Sequence, residues 1–118
     1  MGAHRTISAE DLREMRDRGS DMVIINTLPA EKFAEGHIAG SENIANDTPN
    51  FVHEVERLAG SKGRHVVVHC GGGKESALAA FALEESGFTH VDHFQGGMAE
   101  WNRLGYPVET GVHSESRR

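Results

Sequence analysis

His65-Val66-Val67-Val68-His69-Cys70-Gly71-Gly72-Gly73-Lys74-Glu75-Ser76 passes from an unbroken β-branched run, through the single cysteine of the chain, into three glycines. Three consecutive valines without polar alternation fit a strand covered on both faces. Glycines directly after such a strand reach φ > 0 without steric cost, so the backbone can curl and aim several N–H groups inward. Lys74 to Ser86 then reads as a helix stopped by Gly87, with Leu78, Phe81 and Glu85 at turn spacing. Ala77, Ala79, Ala80 and Ala82 permit that helix to pack closely. Strand, glycine turn and helix in this order put Cys70 beyond the carboxyl end of a strand, where open parallel sheets bind ligands.

Outward from this segment the same alternation continues. Ser8 and Asp11 form a capping pair for a helix with Leu12 and Met15 that stops at Gly19. Met22-Val23-Ile24-Ile25 is a second buried strand, and Pro29 opens a short helix through Phe33 ended by Gly36. Gly36-His37-Ile38-Ala39-Gly40-Ser41 reads as a turn, followed by a brief strand around Asn43-Ile44. Phe51, Val55 and Leu58 mark a helix ending near Gly60, and His90 to Phe94 is a third short strand. Met98, Trp101 and Leu104 form the inner stripe of a last helix, closed by Gly105 and Pro107. Trp101 and Phe81 sit at core-facing spacing and read as packing residues. The alternation predicts the α/β class, a central, mostly parallel sheet with helices on both faces. One domain is expected over 1–118, with a core at about 5–110 and a polar, frayed tail at 111–118.

Composition narrows the function classes. At 118 residues there is room for one core and no second catalytic module. A formal net charge of −6 without a basic stripe argues against nucleic acid as a partner. No apolar run approaches the roughly 20 residues of a membrane helix. The polar stretch from Met1 to Arg13 lacks the apolar region of a secretory signal, which gives the expectation of a cytoplasmic protein. With one cysteine there is no internal disulfide, no Cys-x-x-Cys pair and no multi-cysteine zinc site. Any oxidised sulfur on Cys70 must be resolved by a second molecule.

Eight histidines raise the question of a metal. His65 and His69 bracket one strand and His90 and His93 another, with no His-x3-His helix and no acidic partner set, so no metal and no cofactor are expected. His69 adjoins Cys70, but adjacent strand residues point to opposite faces. His37 belongs to a turn motif and reads as structural.

Cys70 itself admits two readings. Cysteine is among the most buried residue types, and at a strand end it is often an inert small hydrophobe. Alternatively, loop N–H groups and the positive end of the following helix depress the thiol's pKa, with Lys74 helping and Glu75 opposing. Gly71, Gly72, Gly73, Lys74, Glu75 and Ser76 would then form the substrate-binding loop.

The wider pattern resembles the rhodanese family of sulfurtransferase domains. Phe33-Ala34-Glu35-Gly36-His37-Ile38-Ala39-Gly40-Ser41-Glu42-Asn43-Ile44 is similar to the family's early signature. Val66-Val67-Val68-His69-Cys70 followed by Gly73 is similar to its active-site strand and loop. Phe94-Gln95-Gly96-Gly97-Met98-Ala99-Glu100-Trp101, then Gly105-Tyr106-Pro107-Val108, resembles its closing helix signature. The resemblance runs from about Ser8 to Glu109. It implies a rhodanese-like domain in which the Cys70 thiolate takes the outer sulfur of a small anionic donor such as thiosulfate and holds it as a persulfide. Cyanide, an external thiol or a protein acceptor would then remove it.

Two departures bear on this expectation. Many members place a basic residue near the end of the loop, where this chain has Glu75 and Ser76, so a dianionic donor is less well served. Members commonly have Asp-Val-Arg after the first buried strand, where this chain has Asn26-Thr27-Leu28, so the acid and base pairing at that corner cannot form. One alternative is a non-catalytic rhodanese-like binding or persulfide-carrying module, which an assay with thiosulfate and cyanide distinguishes. A cysteine phosphatase or arsenate reductase would need an arginine six residues after the cysteine, and Ser76 stands there.

Overall fold

The computed structural model describes residues 5–111. Its centre is β5 (Val66–His69), whose four residues are all buried. β2 (Val23–Asn26) lies on one side of it and β6 (Val91–Phe94) on the other, with β1 (Arg5–Ile7) and β4 (Glu42–Asn43) outermost. The order is β1-β6-β5-β2-β4 and every neighbouring pair is parallel. Parallel neighbours require crossover connections, which put helices on both faces. α3 (Phe51–Ala59) and α4 (Lys74–Glu85) cover one face, where Val55, Ala59, Ala80 and Leu83 pack on Ile25, Val66, Val68 and Val91. α1 (Ala9–Asp17) and α5 (Gly97–Arg103) cover the other, where Leu12, Met98 and Trp101 meet Ile7, Ile24, Val67 and Phe94. Successive β5 valines thus serve opposite cores, and burying each contributes about 1.5–3 kcal/mol. The capping pair forms: the Asp11 N–H donates to Ser8 Oγ at 3.0 Å. No helix among the described residues is long and apolar enough to cross a membrane.

Several expectations require correction. After α2 (Ala30–Glu35), His37 and Ile38 do not form a turn. They make β3 (His37–Ile38), paired antiparallel with β7 (Val108–Glu109) in a separate two-stranded sheet. His37 is fully buried there, its ring stacked on Phe33 at 3.7 Å and its Nδ1 donating to the Phe33 carbonyl at 2.7 Å. Phe81 is 57% exposed and Leu78 67%, so neither packs in the core. The inward face of α4 is instead Ser76, Ala79, Ala80 and Leu83, because the small residues let the helix approach the sheet. Leu104 caps α5 and stays partly exposed, leaving Met98 and Trp101 as its buried stripe. Gly111 is tethered through its N–H to the Ala34 carbonyl at 2.8 Å, while residues 112–118 of the expected tail lie outside the described residues.

At the amino ends of the strands the register brings together what the sequence reading kept apart. That reading found no acidic partner for the histidines, yet His65, His90 and Asp92 form one cluster. His65 Nε2 donates to Asp92 Oδ2 at 2.7 Å, and His90 stacks on His65 with ring centroids 3.7 Å apart. Arg5 occupies both oxygens of the same carboxylate, Nε to Oδ1 at 3.0 Å and Nη2 to Oδ2 at 2.8 Å. Both carboxylate oxygens of Asp92 are thus taken by the guanidinium, and Oδ2 by His65 as well, which makes the cluster a hydrogen-bonded ion-pair network.

Burial pushes the Asp92 carboxyl up, and its hydrogen bonds to His65 and Arg5 more than offset that, holding it down to about 2. A carboxylate depressed in the folded state contributes stability above its unfolded value near 3.9 and loses it as pH falls toward the folded value. Asp92→Asn is therefore expected to cost on the order of 2 kcal/mol at pH 7 and to flatten the loss of stability between pH 4 and 2. Urea unfolding of both proteins across that range measures it.

Candidate active site

The last residue of β5 fixes where the loop begins. The Thr27 N–H and Oγ1 both donate to the His69 carbonyl, at 2.9 and 3.0 Å, so the chain leaves the sheet at Cys70. The neighbouring corner is closed by neutral amides. Asn26 Oδ1 accepts from the Leu28 N–H at 2.9 Å, and Asn43 Nδ2 donates to the Asn26 and Leu28 carbonyls. This is how Asn26-Thr27-Leu28 replaces an acid–base pair at that position.

The loop wraps its own sulfur. Of its three glycines Gly73 alone adopts a positive φ, +101°, and it caps α4. That turn brings the Gly73 N–H to 3.1 Å from Cys70 Sγ, while Ser76 Oγ donates to the same sulfur from 3.3 Å. A Cβ on Gly73 would collide with the Gln95 carbonyl. The turn between β6 and α5 presses on the loop from the other side: the Met98 N–H donates to the Cys70 carbonyl at 2.8 Å and the Ala99 N–H to the Gly71 carbonyl at 3.0 Å. Gly97, at φ +60°, makes this approach possible, since a Cβ there would strike the Cys70 carbonyl.

Burial pushes the Cys70 thiol up, but the Ser76 hydroxyl and the N–H groups of Ser76, Gly73 and Gly72 outweigh it and leave the thiol below its ordinary value. Hydrogen bonds to the charged form are thus what depress it. The expected contribution of Lys74 gives way to Ser76, which is fully buried against the sulfur, whereas Lys74 is exposed. Glu75 is also exposed and lines the groove between α3 and α4 with Leu78 and Ala82. Gly71 lies beside Leu28, and Gly72 is open to solvent. His69 turns to the opposite face of the sheet, against Phe94 at 5.9 Å. Burial, partly opposed by its hydrogen bond to the Cys70 carbonyl, lowers His69 to about 4, so it is a neutral neighbour at pH 7.

Two contributors escaped the sequence reading. His93 Nε2 lies 2.8 Å from Ser76 Oγ, and both side chains are buried. The signal for it was strand alternation: Val91 and His93 share the face of β6 that meets α4. The role of Gly97 as the contact that seats the loop joins segments 27 residues apart, since 97 minus 70 is 27.

Comparison with known proteins places this geometry. Residues 8–104 match the family model of the rhodanese-like domain. Thiosulfate sulfurtransferase GlpE of Ectopseudomonas mendocina is 31% identical over 116 residues, covering 98% of this chain and 99% of that protein. Thiosulfate sulfurtransferase GlpE of Stutzerimonas stutzeri is 33% identical over 114 residues, covering 96% of each. The crystal structure of a thiosulfate sulfurtransferase from Pseudomonas aeruginosa superposes with a TM-score of 0.82 at 22% identity over 92% of this chain, which spans 20% of that longer one.

Iodoacetamide alkylation of Cys70 is expected to follow a pH profile whose midpoint lies below that of a free thiol. Gly97→Ala, which forces the Cys70 carbonyl away, should move the midpoint back toward the free value and cost roughly 1–3 kcal/mol in stability. An unchanged midpoint in that variant would show that the loop keeps its shape without this contact.

Proposed function

The chain belongs to the rhodanese-like domain family, and from that premise we propose that it is a sulfurtransferase whose sulfur carrier is Cys70. The observation that carries this reading is the convergence of the Gly73 N–H and the Ser76 hydroxyl on Cys70 Sγ at the carboxyl end of the central strand. Hydrogen bonds aimed at the sulfur favour the thiolate, the nucleophilic form, over the thiol. The same donors suit the persulfide anion, which places its charge one atom further out.

In the proposed reaction the Cys70 thiolate attacks the outer sulfur of thiosulfate. The new S–S bond forms as the old one breaks, and the bonding pair leaves with sulfite. An acceptor thiolate or cyanide then attacks the terminal sulfur of the persulfide, and the second S–S bond returns its electron pair to Cys70. No external oxidant or reductant enters. Because Cys70 is the only cysteine, the acceptor comes from outside the chain, a small thiol or a protein thiol. The loop residues Gly71, Gly72, Gly73, Lys74, Glu75 and Ser76 surround the donor, with backbone N–H groups rather than a guanidinium meeting its charge.

Thiocyanate formation from thiosulfate and cyanide tests the reading. Wild type is expected to turn over, and Cys70→Ser to abolish it while remaining folded. Turnover in the serine variant, or none in folded wild type, contradicts the assignment. Glu75→Arg should raise kcat/KM for thiosulfate by about threefold at low salt, a gain that shrinks as salt screens the exposed position. No gain at low salt would remove Glu75 from donor selection.

A further inference from the structure

Ser76 Oγ stands among three neighbours: Cys70 Sγ at 3.3 Å, the Gly73 carbonyl at 3.4 Å and His93 Nε2 at 2.8 Å. A hydroxyl has one proton to give and lone pairs to accept with. The carbonyl and a thiolate only accept, so the state of His93 decides where that proton goes. If Nε2 is bare, the shortest contact takes the hydroxyl proton and the sulfur loses its one side-chain donor. If Nε2 carries a proton, the histidine fills a lone pair of Oγ, and the hydroxyl proton turns to the charged sulfur in preference to the more distant neutral carbonyl. Ser76 is 0% exposed, His93 4% and Cys70 3%, so water does not compete for these contacts.

We propose that His93 is a positioning residue for the Cys70 thiolate: protonated on Nε2, it donates to Ser76 Oγ and commits the serine's single proton to the sulfur. The inference rests on the reading of Cys70 as the reacting group and goes beyond it by assigning the chain Cys70–Ser76–His93 across the loop, α4 and β6. The strand order supports the arrangement. His93 sits opposite Val68 in the ladder, one residue before the end of β5, on the face that α4 covers. Other titratable groups near the chain are His69 on β5 and Lys74 and Glu75 in the first turn of α4; His69 is neutral above about pH 5 and the latter two are exposed.

The test is the pH profile of iodoacetamide alkylation of Cys70 in the full chain. His93→Phe keeps a ring but removes the donor. It should raise the midpoint by about one pH unit and slow alkylation about tenfold at pH values below the wild-type midpoint. Ser76→Ala should shift it at least as far, and the double variant no further than Ser76→Ala alone, because His93 acts through the serine. His93→Gln, whose side-chain amide retains an N–H, should recover part of the loss. A folded His93→Phe protein with the wild-type midpoint, or fully additive shifts in the double variant, overturns the proposal. Should His93→Phe fail to fold, nitrogen NMR of labelled wild type above the alkylation midpoint decides: a proton on His93 Nε2 upholds the proposal, and a bare Nε2 overturns it. The readout is thiol ionisation and not sulfur transfer. The expected shifts in a protein that forms no thiocyanate would therefore uphold His93 and sink the sulfurtransferase reading alone.

Discussion

The close approach of the Gly96-Gly97 turn to the Cys70 loop is the contact on which the site depends. Two backbone hydrogen bonds, Met98 N–H to the Cys70 carbonyl and Ala99 N–H to the Gly71 carbonyl, pin the first half of the loop. On the other side, the Gly73 backbone lies so close to the Gln95 carbonyl that no side chain fits between them. The loop is therefore clamped between the carboxyl ends of β5 and β6. Its curl, which turns the Gly73 N–H and the Ser76 hydroxyl onto the sulfur, is fixed by neighbours rather than left to the freedom of three glycines. Preorganised donors of this kind stabilise charge without having to reorganise when it appears.

This explains how an acidic chain can lower the pKa of a buried thiol. The site uses neutral donors, N–H groups and one hydroxyl, and Lys74 in the first turn of α4 is exposed. Ser76 occupies the position where a phosphate-cleaving cysteine enzyme needs a guanidinium, and it is buried against sulfur instead. At the opposite end of the strands the histidine and carboxylate pairing of His65 and Asp92 is closed by Arg5 and belongs to the fold. The two ends of one sheet thus divide the titratable groups between stability and chemistry.

The central part of this arrangement was legible in the sequence because short, wholly buried strands leave an unambiguous apolar run. β2 and β5 declare themselves this way, and Cys70 falls where such a run meets glycines, whereas β6, Val-Asp-His-Phe, is buried but mixes polar with apolar residues. β1 and β7 did not, since they are short edge pairings with few buried side chains and no periodic pattern. The face of α4 was misread for a different reason. Its small residues are apolar enough to face inward and its large ones apolar enough to be expected there, so only packing against the sheet decides that Phe81 and Leu78 look out. Asp92 with His65, and Ser76 with His93, are pairings made by register across 27 and 17 residues, which no local pattern records.

The central claim is that the clamped loop makes Cys70 a sulfur carrier. Intact-protein mass spectrometry after brief incubation with thiosulfate, followed by removal of small molecules, tests it most directly because it does not require turnover. The account predicts a gain of one sulfur atom, localised to the Cys70 peptide and discharged by cyanide. An unchanged mass in folded, fully reduced protein, or the added sulfur elsewhere in the chain, would contradict it.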